Sequence, residues 1–229
     1  MTPPPIRRPL AVAFDIIDTT FRIEALDGPL VGLGLPSGLV RRLYAEALRD
    51  AMALACAGRF APFADVMRTN LSLLLVEHGL APGDAAIGEA LGFMRRLPPH
   101  PDAAEAYASL ASAGIRVMAL SNGAEAATRA LFDAAGMAGS VTDVLSVESV
   151  ALAKPRPEVY RHALAVAGIE PDALMLVACH PWDIQGAQAV GLLGGYVARG
   201  RPYPAFMPAP DLAADGLLSL ARAIVALPA

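Results

Sequence analysis

Cysteine is the first scarcity in this chain: two in 229 residues, Cys56 and Cys179, too far apart for a disulfide framework and without the spaced CxxC pairing of a metal site. A reducing, cytoplasmic setting is expected from that. Long apolar runs are missing too. Although 55% of the residues are hydrophobic and the mean hydropathy is +0.47, no uninterrupted stretch reaches the roughly 18–20 residues that a membrane span requires, so no membrane partner is expected. Charge is sparse at 17%, the net value is −4, lysines are very few and the arginines are scattered, which removes the electrostatic footprint of a nucleic-acid binder. A small-molecule partner is expected instead. Residues 1–9, with three consecutive prolines followed by Arg7 and Arg8, lack the apolar core of a signal peptide and read as a frayed arm.

What is present is a strand pattern with a carboxylate at its end. The apolar run Leu10 to Phe14 stops on Asp15, the arrangement of a buried strand that delivers an acid to the carboxyl edge of an open α/β sheet. Taken alone, Asp15 reads equally well as a helix N-cap or loop aspartate. The spacing predicts an extended chain to about Ile23, a Gly- and Pro-rich connector over residues 28–38, and then three helices: Leu39 to Ala57, Phe63 to His78 and Asp84 to Leu97. These helices follow one another without a strand, as a separate module would. Beyond a further helix over residues 102–113, strands (115–120, 144–147, 174–179, 193–198) alternate with helices (124–135, 157–167, 183–190), and a helix over 216–227 ends the chain. Such alternation builds a parallel sheet with helices on both faces, which the first strand must join.

Each predicted strand ends on a polar residue: Asp15, then Ser121 and Asn122, then Lys154 after the third, then His180 and Asp183 after the fourth. Parallel strands bring all of these to one rim. A lysine between two carboxylates in a closed crevice would compensate charge that otherwise costs several kcal/mol, whereas the plain alternative is a solvated surface lysine. Ser121, Asn122 and Gly123 open a helix where backbone N–H groups bind anions, or form an ordinary N-cap. His180 and Trp182 form an aromatic wall suited to an apolar substrate, or belong to the core. Asp18 and Thr19 bond either a ligand or the turn itself. Cys56 and Cys179 read as small buried apolar residues, His78 and His100 as surface or capping groups, and His162 as a helix residue.

The segments Phe14-Asp15-Ile16-Ile17-Asp18-Thr19, Leu120-Ser121-Asn122-Gly123, Lys154-Pro155 and His180-Pro181-Trp182-Asp183, in this order, resemble the haloacid dehalogenase superfamily. Within it they are most similar to the L-2-haloacid dehalogenases. The resemblance implies a Rossmann-like α/β core over residues 1–22 and 98–229, an inserted helical cap over 23–97, and association as a homodimer. It implies a catalytic set of Asp15 as nucleophile, with Lys154 and Asp183 serving the hydrolysis of an aspartyl ester. It also implies that Ile17, Thr19, Ser121, Asn122, His180 and Trp182 surround a 2-haloacid, and that the reaction takes no cofactor or metal.

A phosphatase of the same superfamily would need an acid two residues after the nucleophile and acidic Mg²⁺ ligands near the fourth segment. Here those positions carry Ile17 and Cys179, which disfavours phosphoryl transfer. The chain also departs from the dehalogenase pattern. An aromatic residue and glycine give way to Ile17-Asp18, Ser and Asn give way to Ala178 and His180, and the halide-receiving arginine of the first cap helix falls in register with Tyr44 or Glu46, with Arg42 and Arg49 about a turn away. A phosphatase and a non-catalytic dimer of the same fold are therefore the two alternatives.

Overall fold

The computed structural model describes residues 6–229. Six strands, β1 (Ala11–Phe14), β2 (Arg116–Ser121), β3 (Asp143–Ser146), β4 (Leu174–Ala178), β5 (Leu193–Val197) and β6 (Leu212–Ala214), form one sheet of order β3-β2-β1-β4-β5-β6. All neighbouring strands are parallel. Central β1 is buried along its whole length, as a strand covered on both faces must be. The strand order reverses between β1 and β4, so the crevice of such a sheet opens at the carboxyl ends of these two strands.

Helices α1 (Asp27–Gly32), α2 (Val40–Cys56), α3 (Phe63–Glu77) and α4 (Asp84–Gly92) lie between β1 and β2 in sequence, and α5 (Ala103–Ser112) follows them. The remaining helices are α6 (Glu125–Ala134), α7 (Pro157–Ala167), α8 (Pro181–Gln188) and α9 (Leu217–Val225). Alternation of side chains along the strands divides the core in two. Val12, Phe14, Val117, Ala119 and Val177 face Tyr107, Phe132 and Leu220 on one side, continuous with the apolar faces of α2 and α3. Ala11, Ala13, Met118, Leu120 and Leu176 face Val159, Tyr160, Ile184 and Ala187 on the other.

The sequence expectations fail in several places. The chain after Asp15 is not extended. It folds into a tight loop in which Thr20 and Phe21 N–H both donate to the Ile16 carbonyl and Asp18 takes a left-handed φ of 72°. The connector over 28–38 is partly helical, because Asp27 opens α1 and its carboxylate accepts from Ser37 Oγ and Gly38 N–H, drawing the end of the connector back onto the helix. Strand β6 had no periodic signal at three residues long, and Cys56 is exposed at the end of α2 rather than buried. Most of the expected frayed arm lies outside the described residues or near their edge, but Arg8 is tied down, donating from its backbone N–H to Pro228 O and from Nε to Leu227 O.

Helix α8 packs against α7 with no room to spare: a Cβ on Gly186 would stand 2.6 Å from the Tyr160 hydroxyl and 2.7 Å from Pro155 Cβ. Gly186→Ala is expected to destabilise by about 1–3 kcal/mol, lowering Tm by about 2–4 °C per kcal/mol. A melting curve unchanged from wild type would contradict this packing.

Candidate active site

Strand β1 delivers Asp15 to the switch point, where its backbone N–H donates to Val177 O at 2.9 Å and so continues the ladder one residue past the strand. Phe14 is stacked on Tyr107 of α5, ring centroids 4.2 Å apart, which fixes the strand end against the helix layer. Thr20 Oγ1 donates to the Asp15 carbonyl at 2.9 Å and lies 2.8 Å from the Tyr107 hydroxyl. The backbone of Asp15 is thus held from both sides. Its carboxylate is held as well. Thr19 Oγ1 donates to Oδ2 at 2.6 Å while accepting from Cys179 N–H at 2.9 Å, so one hydroxyl links the ends of β1 and β4.

Lys154, the only lysine in the chain, is fully buried. Its Nζ donates to Asp15 Oδ1 at 3.1 Å and to Asp183 Oδ2 at 2.8 Å. The solvated-lysine alternative is thereby removed, as is the reading of Asp15 as a helix cap. Burial acts to discharge the ammonium, but the two carboxylates outweigh it and hold the Lys154 pKa above the ordinary lysine value. Asp183, in the first turn of α8, is pushed up by burial and by Asp15, with Lys154 opposing. A raised carboxylate is a stronger proton acceptor. Tyr160 of α7 donates to Asp183 Oδ1 at 2.6 Å, satisfying its second oxygen.

The other expected residues fall into two groups. Asn122 Oδ1 accepts from the Lys154 backbone N–H at 2.9 Å, and Ser121 Oγ accepts from Gly123 N–H at 2.9 Å, so both shape the turns that frame the site. Ser121, Gly123 and Ile17 also line a cavity of about 140 Å³ whose remaining walls include Phe63, Met67, Met94 and Leu131, with Arg95 and Glu148 among its polar members. That is below the usual range of small-molecule sites, about 300–1,000 Å³, and leaves room for a small molecule only. His180 and Trp182 are not among the residues lining that cavity; His180 stands beside Asp15 instead. Their rings stack with centroids 5.2 Å apart, Tyr44 of α2 lies 6.2 Å from the imidazole, and His180 Nε2 stands 3.7 Å from Asp15 Oδ2 and 3.4 Å from Ile17 O.

No arginine forms an ion pair with Asp15 among the described residues. Arg41, at the start of α2, turns instead to Asp18 Oδ2 at 2.7 Å and also pairs with Glu24. Of the positions in register with the halide arginine, Tyr44 is buried and points its hydroxyl at Ile17 O, while Glu46 pairs with Arg42 away from the crevice. Asp18, Cys179 and His180 are all buried, and their ligand atoms lie within 4.8 Å of one another, a mixed set able to approach a cation. Arg41 and Arg201 already reach Asp18 Oδ2, at 2.7 and 3.7 Å, so guanidinium groups supply the positive charge there. Burial alone would raise the Asp18 pKa, yet His180, Arg41 and Arg201 together hold it below the usual carboxylate value.

Sequence reasoning missed Tyr160, Thr20, Tyr107 and Arg199, whose guanidinium donates to Thr19 O at 2.8 Å. The tyrosines sit on apolar helix faces and read as plain core. Only their hydroxyls, which periodicity cannot see, distinguish them. His100 is not the surface group expected: it is half-buried, with Nε2 3.1 Å from Asp18 O.

A buried carboxylate at the switch point of a parallel sheet, a lysine shared with a second carboxylate and a small cavity reached through Ile17 and Ser121 are the arrangement of an α/β hydrolase. The chain belongs to the haloacid dehalogenase-like hydrolases, whose family model matches residues 11–191. It is 32% identical over 193 residues to an (S)-2-haloacid dehalogenase of Xanthobacter autotrophicus, covering 82% of this chain and 75% of that one. A solved structure of the L-2-haloacid dehalogenase from Xanthobacter autotrophicus, with chloropropionic acid covalently bound, matches with TM-score 0.87 and 26% identity over 95% of this chain and 99% of that one. A phosphoglycolate phosphatase of Rhodospirillum rubrum is 33% identical over 93 residues, 41% of this chain and 39% of that one.

Buried His180 gives a pH signature. Burial pulls its pKa down, but Cys179, Asp15 and Asp18 outweigh that and push it up to about 9. A pKa raised in the folded state adds stability that is complete below the unfolded value near 6.5 and disappears as pH rises through about 9, here on the order of 3 kcal/mol. Tm of the wild type should therefore fall between pH 6.5 and 9.5 more steeply than that of His180→Asn; parallel pH profiles would rule the imidazolium out.

Proposed function

We propose that the protein hydrolyses the carbon–halogen bond of a small 2-haloacid through an ester on Asp15, with residues 23–97 acting as a cap over the core. The observation that carries this reading is the fully buried Lys154 bridging Asp15 at 3.1 Å and Asp183 at 2.8 Å, beside a small apolar cavity. An Asp15 oxygen attacks the carbon bearing the halogen, the carbon–halogen electron pair leaves as halide, and an alkyl ester remains on the enzyme. Asp183 takes a proton from water, whose oxygen adds to the ester carbonyl carbon. Lys154 Nζ and Thr19 Oγ1, already directed at the two Asp15 oxygens, face the negative charge that develops there. Collapse expels the alkoxide, which takes the proton back from Asp183 and leaves as a 2-hydroxy acid, while Asp15 keeps the water oxygen and releases the second water proton to solvent, so that one halide and one proton are produced per turnover. Ile17 forms part of the apolar wall, and Ser121, Asn122, His180 and Trp182 frame the substrate.

Phosphoryl transfer is the weaker reading. Ile17 has no proton to give a leaving alkoxide, and Cys179 stands where that chemistry asks for a hard oxygen ligand. We further read the protein as cytoplasmic, a setting that suits its two free cysteines, and as a homodimer. Leu73 and Val76, three residues apart on α3 and 62% and 72% exposed, supply an apolar patch on the proposed cap for that association.

Halide release from 2-chloropropionate should be abolished in Asp15→Asn. Asp183→Asn should slow turnover by about 10²–10⁴-fold and accumulate an alkylated Asp15 visible by mass spectrometry. A single turnover in ¹⁸O-labelled water should place the label in Asp15; label found only in the product alcohol would refute the ester. In light scattering, Leu73→Glu/Val76→Glu should convert a dimeric wild type to monomer, and a wild type that is already monomeric would end the dimer proposal.

A further inference from the structure

A second cavity, about 620 Å³, lies at the same rim of the sheet and is lined by Arg22, Glu24, Arg41, His100, Arg199 and Arg201. None of these residues lines the small cavity beside Ile17 and Ser121. Its volume falls in the range of small-molecule sites, about 300–1,000 Å³. Its charge runs against that of the molecule. The chain as a whole is −4, yet four arginines face one glutamate here.

The carboxylates nearby only partly compensate. Arg41 pairs with Asp18 and Glu24, and Arg201 reaches Asp18 only at 3.7 Å. Arg199 approaches Asp102 no closer than 3.9 Å, its side chain is 20% exposed, and its Nε is buried without a hydrogen-bond partner, as is Asp102 Oδ1. Arg22 makes no side-chain hydrogen bond or ion pair among the described residues. Burial holds the Arg199 guanidinium below the ordinary arginine value despite Asp102, and burial together with Arg199 lowers His100. Positive charge in a cavity with unused planar donor forks matches carboxylate or phosphate oxygens, which guanidinium groups bind two at a time.

We propose that this cavity is a binding site for a small polyanion, a molecule carrying two or more carboxylate or phosphate groups, separate from the substrate crevice. An oxyanion there competes with Asp18 for Arg41 and Arg201. It also lies against the loop whose next residue, Thr19, holds Asp15.

Isothermal titration at fixed ionic strength with citrate and, separately, pyrophosphate tests the site and tells the carboxylate source from the phosphate source. Saturable 1:1 binding of at least one probe is expected in the wild type, weakened about tenfold or more in Arg22→Gln/Arg201→Gln. Arg22→Gln alone, at an exposed and unpaired side chain, should weaken it in the same direction and keep the wild-type Tm. Arg95→Gln, in the small cavity, should leave it unchanged. No saturable heat with either probe, an affinity unaffected by both the double and the single Arg22 variant, or an equal loss in Arg95→Gln would each overturn the proposal. Because neither probe is a haloacid, the outcome is independent of whether the enzyme releases halide.

Discussion

The ammonium of Lys154, enclosed between Asp15 and Asp183, is the constraint that the surrounding structure has to meet. Each contact is worth on the order of 5 kcal/mol at about 3 Å with an effective dielectric near 20. Desolvation costs several kcal/mol per ion, and three ions are withdrawn from water. The balance is close, so it holds only if the remaining lone pairs are also satisfied, as Thr19 does for Asp15 and Tyr160 for Asp183. Three separate stretches of chain must therefore arrive together: the end of β1 with the loop that follows it, the turn before α7 with α7 itself, and the start of α8. The parallel sheet makes that convergence inexpensive. Its strand order reverses between β1 and β4, leaving a gap at the carboxyl edge that the lysine fills.

The choice of cation follows from the same geometry. All but one of the 18 lysine and arginine residues are arginine, and the exception is the one that is wholly buried. A planar guanidinium fixes five donors in a broad fork, as where Arg41 spans Asp18 and Glu24. An ammonium is compact and can direct donors to both. Outside the crevice the arrangement reverses. Arginines that are themselves partly exposed gather around the buried Asp18 carboxylate and the carbonyl of Thr19.

The strands except β6, and most helices, were legible because their signals are local. Period and length place β1 and α2 within a residue or two, and the polar residue at each strand end marks the rim without any knowledge of tertiary contacts. The first failure, the loop after Asp15, shows where local signals stop. Ile16-Ile17 reads as a continuing strand, but the chain turns because Thr20 and Phe21 take the Ile16 carbonyl and because Asp18 is accepted at φ 72° by partners remote in sequence. The same holds for Tyr160 and Tyr107, whose positions are set by apolar periodicity and whose work is done by a hydroxyl. Cys56 failed for the opposite reason: its helix was placed correctly, but Cys56 lies off the face that buries Ala47, Ala51 and Ala55.

Asp18 joins these threads. A left-handed backbone costs an L-residue roughly 1–2 kcal/mol, a cost that glycine would not incur, so the carboxylate needs a compensating role. It has one on each side of the loop. Its N–H donates to Phe21 O and closes the turn, its carbonyl lies 3.1 Å from His100 Nε2, and its Oδ2 takes Arg41 from α2 and approaches Cys179 Sγ at the end of β4. The residue thus ties α2, the loop and the β4 edge to one point, next to the threonine that orients Asp15. Glycine there would leave the turn unstrained but would release Arg41. The position is occupied by a side chain whose conformational penalty is offset by charge-assisted bonds, each worth about 1.5–3 kcal/mol, and whose cost is incurred within four residues of the proposed nucleophile.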